Sequence, residues 1–363
     1  MVKGIISICL VEFFLISCAT GQSMQKEPEK VIVQNESREK YDAQYEAKFR
    51  ALVENLKALE QSVFSLRSEV ANLGSHLSNL QIRNSLTTFQ LPKEVSLCGE
   101  FFPLEDKNVW ENFDREFLLA LSNEAQVLLW MKRAQRYFPL IEERLKEMGL
   151  PDDLKYVTIT ESNLRPEAVS SSGAAGIWQF IPSTGEKYGM RKNRSIDERF
   201  DFFKATEGAL SYLKSLYEEF RSWTLSMAAY NAGENRIRRE IELQKTKNYF
   251  YLDLPVETER YVYKIAVAKI ILSDPKRFGC TLGEKELYRP LQVERVQIEL
   301  IQPLSLMEVA RAIGFFYKEV KEMNPHLFEE TIPPGIHFLN LPSGTSEKFW
   351  AFFSTWKKET EGK

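Results

Sequence analysis

Residues 150–180 read LPDDLKYVTITESNLRPEAVSSSGAAGIWQF, and the rest of the chain is arranged around them. Pro151 suits a first helical turn, where Asp152 and Asp153 complement the helix dipole. A polar turn, Glu161-Ser162-Asn163, follows. A loop of small residues, 170–176, then runs into the bulky Ile177-Trp178-Gln179-Phe180. Leu154, Val157 and Glu161 fall at i, i+3 and i+7, on one helical face. Leu154 and Val157 are expected to point into a core, and Glu161 continues their stripe at the helix end. A carboxylate there is costly unless it is paired, hydrogen-bonded or protonated. The alternative is a side chain that curls back to solvent.

The chain has 363 residues, long enough for two or three units. Its formal net charge of −3 argues against a nucleic-acid binder, which carries a basic surplus. At the N-terminus, Lys3 precedes an apolar run, 5–16, broken only by Glu12. That run is too short for a bilayer span, which needs about 20 residues. Leu15-Ile16-Ser17-Cys18 resembles the lipobox of bacterial lipoproteins, so residues 1–17 are expected to be a signal peptide and Cys18 the lipidated residue. Ala19, where an Asp would retain such proteins elsewhere, points by the same resemblance to the outer membrane of a Gram-negative cell. A plain signal peptide is the other reading. Cys98 and Cys280 then remain, either as a disulfide, which an oxidising periplasm allows, or as free thiols.

Residues 18–40 are polar and read as a flexible tether. From Tyr45 to Leu80, apolar residues recur in steps of four and three without a polar break, so 41–84 reads as a coiled coil that self-associates. One amphipathic helix folded back on its own chain is the alternative. After a connector, 84–105, helical patterns cover 108–149, 202–220 (with Thr206 near its N-cap), 223–230 and 257–272. Strand patterns are scarce, and the fold class expected is mainly α. The pattern changes beyond residue 288. Val293, Val296 and Ile298 are strand-like, Ser305 can cap a helix, 316–323 is a second helix, and Pro333-Pro334-Gly335 turns into 337–341. The order is β-α-α-β over 288–345.

Three stretches carry a family resemblance. ITESNLRPEAVSSSGAAGIWQFIPSTGEKYG (159–189), LSMAAYNAGENRI (225–237) and LPVETERYVYKIAVAK (254–269) resemble, in order and spacing, the three signatures of the soluble-lytic-transglycosylase, goose-lysozyme-like superfamily. Within it they most resemble the membrane-bound lytic transglycosylases of the D type. The resemblance covers about 98–280 and implies a lysozyme-like α catalytic domain there. MNPHL and IPPGIHFLNLP in 288–345 resemble a LysM module, a small glycan-binding fold; a packing-only role is equally open.

The resemblance implies an enzyme that cleaves the β-1,4 bond between N-acetylmuramic acid and N-acetylglucosamine in peptidoglycan and forms a 1,6-anhydro sugar. Glu161 is then the single acid-base group. Ser170 and Gln179 are implied to line the sugar sites, Tyr230 and Asn231 to contact the reacting sugar, and Glu257 and Tyr261 to close the site. The partners implied are peptidoglycan strands, the outer membrane through a lipid anchor on its periplasmic side, and further copies of the chain. Neither a cofactor nor a metal is expected. Between Cys98 and Cys280 there is no His and no other Cys, which excludes His-based triads, Cys-His nucleophiles and His-ligated metals there. Two other functions stay open. One is a goose-type lysozyme hydrolase, needing a second acid from among Glu167, Asp197, Glu198 and Glu257. The other is a non-catalytic cell-wall-binding spacer.

Overall fold

The computed structural model describes residues 33–83 and 91–361. The expected signal peptide, Cys18 and most of the tether lie outside them. The chain divides into two units, one ending at Ser78 and the other beginning at Asn79. The first holds most of one helix, α1 (Val33–Arg83). Its 51 residues make a rod of about 76 Å at 1.5 Å per residue. It starts inside the stretch expected to be a tether. Residues 37–40, SREK, are polar but are adequate helix formers, and polarity argues against burial rather than against a helix. The heptad positions whose side chains are described, from Tyr45 to Leu73, are solvent-exposed: Phe49 by 67% and Val63, the least, by 42%. Among the described residues no helix is long and apolar enough to cross a membrane.

The second unit opens where a connector was expected, with a hairpin of β1 (Ser96–Leu97) and β2 (Glu100–Phe101). Its turn, Cys98-Gly99, has positive φ at both residues, the geometry that matches strand twist in a two-residue hairpin. Helices α2 (Lys107–Ser122) and α3 (Glu124–Met148) share Asn123, which ends one and caps the other. Gly149, left-handed at φ 65°, ends α3. The segment carrying Glu161 is a 3-10 turn, Asp152–Tyr156, followed by α4 (Val157–Ser162), rather than one helix. Leu154 and Val157 are nevertheless fully buried. Asp153 does more than complement a dipole. Its carboxylate accepts from the Cys98 backbone N–H (2.7 Å) and Lys269 Nζ (2.8 Å), tying the hairpin to the helix that spans Val256–Ser273.

Then come α5 (Pro182–Lys187), α6 (Phe202–Phe220), α7 (Trp223–Ala232), α8 (Glu234–Gln244) and α9 (Val256–Ser273). The N-cap of α6 is Asp201, whose carboxylate accepts from Phe203 and Lys204; Thr206 lies a turn further in, where its hydroxyl accepts from Trp178 Nε1 instead. Leu225, Met227, Ala228 and Ala229 of α7 are fully buried, and α6, α8 and α9 pack around them. Buried apolar residues from Val95 to Cys280 form one core. No disulfide joins Cys98 to Cys280. Burial, with Asp153 and Glu100 nearby, pushes the Cys98 thiol well above its ordinary range, which keeps it unreactive.

A second core lies beyond residue 292, joined from outside by Ile196. Strand β3 (Val293–Leu300) and strand β4 (Leu304–Ser305) precede helices α10 (Leu306–Ile313) and α11 (Tyr317–Met323). Strands β5 (Thr331–Ile332) and β6 (Gly335–Pro342) follow, and β6 pairs antiparallel with β3 from Val293↔Pro342 to Leu300↔Gly335. The expected β-α-α-β elements are β3, α10, α11 and β6, with the two-residue strands β4 and β5 added between strand and helix on either side. The unit does not stop at 345: α12 (Ser346–Glu361) puts Phe349 and Phe353, one turn apart, into the same core. Asn324, fully buried, locks the unit. Its Nδ2 donates to the carbonyls of Val320 and Asn340 (both 2.8 Å), and its Oδ1 accepts from the Asn340 N–H (2.8 Å).

Asn324→Ala strands these buried partners and is expected to lower stability by about 2–3 kcal/mol in urea unfolding. A loss under about 0.5 kcal/mol would show that the network carries little of the βααβ unit.

Candidate active site

Glu161 sits one residue before the end of α4. Val157, Thr158 and Ile159 bury the inner face of that helix, and Ser162 Oγ ties its end to the Ile177 carbonyl at 2.7 Å. The chain then reverses through Asn163, left-handed at φ 55°, a conformation Asn tolerates better than most residues. Two side chains of α3 hold that turn. Trp130 Nε1 donates to Asn163 Oδ1 (2.7 Å), and Arg133 Nη1 donates to the Asn163 carbonyl (3.0 Å). The Glu161 carboxyl is thus aimed by a fixed turn rather than by a frayed end.

The small-residue loop is folded tightly on itself. Short bridges pair Val169 with Ala175 and Ala175 with Phe180. Ser170 Oγ accepts from the Ala174 N–H (3.0 Å) and lies 2.9 Å from Ser172 Oγ. Gly176, at φ 84°, passes so close to another segment that a Cβ there would lie 1.9 Å from the Arg199 carbonyl oxygen. Only glycine fits. Gln179 is left-handed at φ 52°, and its Nε2 donates to the carbonyls of Ala168 (3.0 Å) and Gly176 (2.7 Å). Its amide N–H groups clamp the loop, which leaves the carbonyl oxygen for a ligand.

A cleft of about 490 Å³ opens between this loop and the ends of α4, α7 and α9. All seven residues singled out from sequence line it: Glu161, Ser170, Gln179, Tyr230, Asn231, Glu257 and Tyr261. Burial raises the Glu161 carboxyl to about 7, against the opposing effect of a hydrogen bond from the Tyr261 hydroxyl to its Oε1. Glu257 adds to the rise. Oε2 makes no hydrogen bond among the described residues, so the cleft holds a carboxyl that is half protonated near neutral pH, with one oxygen held and one free. Tyr230 donates its hydroxyl to the Trp178 carbonyl (2.8 Å), which fixes its ring beside the acid. Burial, then the Glu161 charge, keeps both tyrosines neutral.

Asn231 has a partner that sequence reasoning missed. Thr258 Oγ1 donates to Asn231 Oδ1 at 2.8 Å, which orients the amide and leaves its NH₂ group as donor to the cleft. The signal was a hydroxyl, Thr258, inside the third motif and one residue after Glu257; the fold buries it. Tyr212, Glu234 and Lys264 also line the cleft. Of the four possible second acids, only Glu257 lines it. Asp197 is bound at both oxygens by Arg199 (2.9 and 2.6 Å). Burial pushes Glu198 up, but hydrogen bonds from Arg191 and Lys204 more than offset it and hold the carboxyl at about 2. Glu167 is exposed. Among the described residues no group of three or more His, Cys, Asp or Glu could hold a metal ion.

Residues 138–252 match the Transglycosylase SLT domain. The chain is 35% identical over 197 residues to membrane-bound lytic murein transglycosylase D of Escherichia coli K12, covering 53% of this chain and 43% of that protein. It is 23% identical over 198 residues to membrane-bound lytic murein transglycosylase C of Haemophilus influenzae, covering 50% of this chain and 52% of that one. A putative tributyltin chloride resistance protein of Alteromonas sp. strain M-1 is 31% identical over 123 residues, 33% of this chain and 59% of its own. The chain therefore spans about half the length of these curated relatives.

A carboxyl raised from 4.5 to about 7 keeps its proton in the folded state and loses it in the unfolded one between those values. Stability from that proton is present in full below about 4.5 and is lost as pH rises to about 7, ~3 kcal/mol in all. Glu161→Gln, which does not titrate, is expected to match wild type in urea unfolding at pH 4 and to exceed it by up to about 3 kcal/mol at pH 8. An equal difference at both pH values would mean that the acid is not raised.

Proposed function

We propose that this chain, which carries an SLT domain and is similar to membrane-bound lytic murein transglycosylase D over about half its length, is a peptidoglycan lytic transglycosylase. It cleaves the β-1,4 bond between N-acetylmuramic acid and N-acetylglucosamine and leaves a 1,6-anhydro-N-acetylmuramic acid end. The observation that carries the reading is the Glu161 carboxyl, raised to about 7 by burial with Tyr261 on one oxygen. Oε2 gives its proton to the bridging oxygen as the C1–O bond breaks. The resulting carboxylate takes the proton of the C6 hydroxyl as O6 bonds to C1. The acid is regenerated, and no water is consumed. An intramolecular nucleophile needs no second carboxylate, because attachment already positions it. Asn231, its acceptor end held by Thr258, donates to the N-acetyl carbonyl. Ser170, Gln179 and Tyr230 line the sugar site, and Glu257 and Tyr261 close it.

The finer setting belongs to the same proposal. Residues 98–280 form the catalytic domain, and the βααβ unit is LysM-like. Lipid on Cys18 holds the enzyme at the periplasmic side of the outer membrane, and the exposed seam of α1 joins copies of the chain. An uninterrupted apolar stripe loses its water contact only against partner helices.

Digestion of purified peptidoglycan in heavy-oxygen water tests the reaction. The expected product carries no solvent oxygen at C1 and is lighter than a hydrolysis product by one water. Solvent label at C1 would replace the reading with a hydrolase using Glu257 to hold water, and no product at all would leave a wall-binding spacer. Glu161→Gln is expected to lower turnover at least about 100-fold, the usual loss for an acid-base group. Wild-type turnover should fall as pH rises through about 7, because the first step needs the protonated acid. For the seam, the soluble chain is expected to sediment as an oligomer and a chain lacking residues 1–84 as an active monomer. A monomeric full-length chain contradicts the coiled coil.

A further inference from the structure

The segment 196–201, IDERFD, carries four charged side chains buried to between 1% and 4% exposure: Asp197, Glu198, Arg199 and Asp201. Charges at that depth persist only when paired, and each of these has a partner. Three links from this segment run to the βααβ unit. The Asp197 N–H donates to the His326 carbonyl (2.9 Å), while Ile196 bridges Leu327 and joins the second hydrophobic core. Arg295 of β3 donates to Asp201 Oδ2 (3.0 Å).

The other links run to the cleft. Arg199 Nη1 donates to the carbonyls of Gly173 (2.8 Å) and Phe180 (2.7 Å), the two ends of the loop that holds Gln179. The Arg199 backbone carbonyl lies against Gly176 between them, where no Cβ fits. The loop is therefore wrapped around Arg199, and Asp197 fixes the guanidinium through both carboxylate oxygens. Neither Asp197 nor Arg199 lines the cleft.

We propose that Arg199 is a positioning residue for the active site, and that the βααβ unit is part of this support: through His326, Leu327 and Asp197 it holds Arg199, and Arg199 holds the loop that presents Ser170 and Gln179. The inference rests on the transglycosylase reading for its effect on turnover but not for its effect on the loop. Placement of substrate contributes to the barrier even when the acid is intact, so loosening the loop acts on kcat.

The test uses the full chain with Arg199→Lys, which keeps the charge but loses the fork, and with the seam variant Ile196→Ser/Phe328→Ala, named for the seam between 196–201 and the βααβ unit, where Ile196 joins the second core and the Phe328 ring packs edge-on against Phe200 at 5.7 Å, remote from the cleft. Hydrogen exchange of the Ala175, Gly176 and Phe180 amides, each bonded within the loop, is read beside kcat and KM on peptidoglycan. Both variants are expected to exchange these amides at least 10-fold faster, with kcat lowered about 10-fold or more, KM within about 3-fold, and the pH dependence of kcat unchanged. If Arg199→Lys fails to fold, the seam variant decides alone. A folded seam variant with wild-type loop exchange overturns the proposal. So does one with faster exchange and wild-type kcat. If the wild-type enzyme itself forms no anhydro product, the reaction reading fails, and loop exchange still decides whether the βααβ unit holds the loop.

Discussion

A carboxylic acid withdrawn from water and met by a tyrosine instead of a cation is the constraint on which this site depends. Paired with Lys or Arg, Glu161 would sit far below neutral pH and have no proton to give. The fold has to bring Tyr261 of α9 to the last turn of α4 and keep positive charge from closing on the same oxygen. The Ala-rich α7 makes this possible. With Ala228 and Ala229 fully buried, α9 approaches closely enough for Thr258 to reach Asn231 and for Tyr261 to reach Glu161.

Much of this was legible in the sequence, for reasons that can be located. The Leu154/Val157/Glu161 stripe held even though the segment is a 3-10 turn followed by a short helix, because both geometries keep i and i+3 on nearly one side. Ser305 begins a helix as its hydroxyl allows, accepting from the Met307 N–H. The motif positions lie together around one cleft. Their hydrogen bonds were not legible. That Gln179 spends its N–H groups on the loop, or that Tyr230 spends its hydroxyl on Trp178, depends on which backbone carbonyls arrive from elsewhere.

The misplacements share a cause. Asp197 and Glu198 looked like free acids near the site, since sequence shows a carboxylate but not the Arg or Lys that tertiary contacts bring to it. Thr206 looked like a cap because hydroxyls cap helices, but Asp201 was better placed and left it for Trp178. Residues 33–40 looked unstructured because they are polar, a property that governs burial more than helix formation. The last helix lies outside the βααβ pattern, although Phe349, Phe352, Phe353 and Trp356 fall at helical spacing and carry their own apolar stripe.

Under the proposed reaction, the raised Glu161 carboxyl also bears on how inhibitors would recognise the cleft. Cationic sugar mimics imitate an oxocarbenium ion and gain most of their grip from an anionic partner. Here that partner is half protonated near neutral pH, so binding such a mimic must expel a proton. Affinity would rise with pH up to about 7 and level off above it, and the heat of binding would depend on the ionisation enthalpy of the buffer. Calorimetry in two buffers would read the released proton directly, and a buffer-independent heat at pH 6 would rule it out. A neutral mimic that accepts a hydrogen bond from Oε2 would show the opposite preference and suit acidic surroundings.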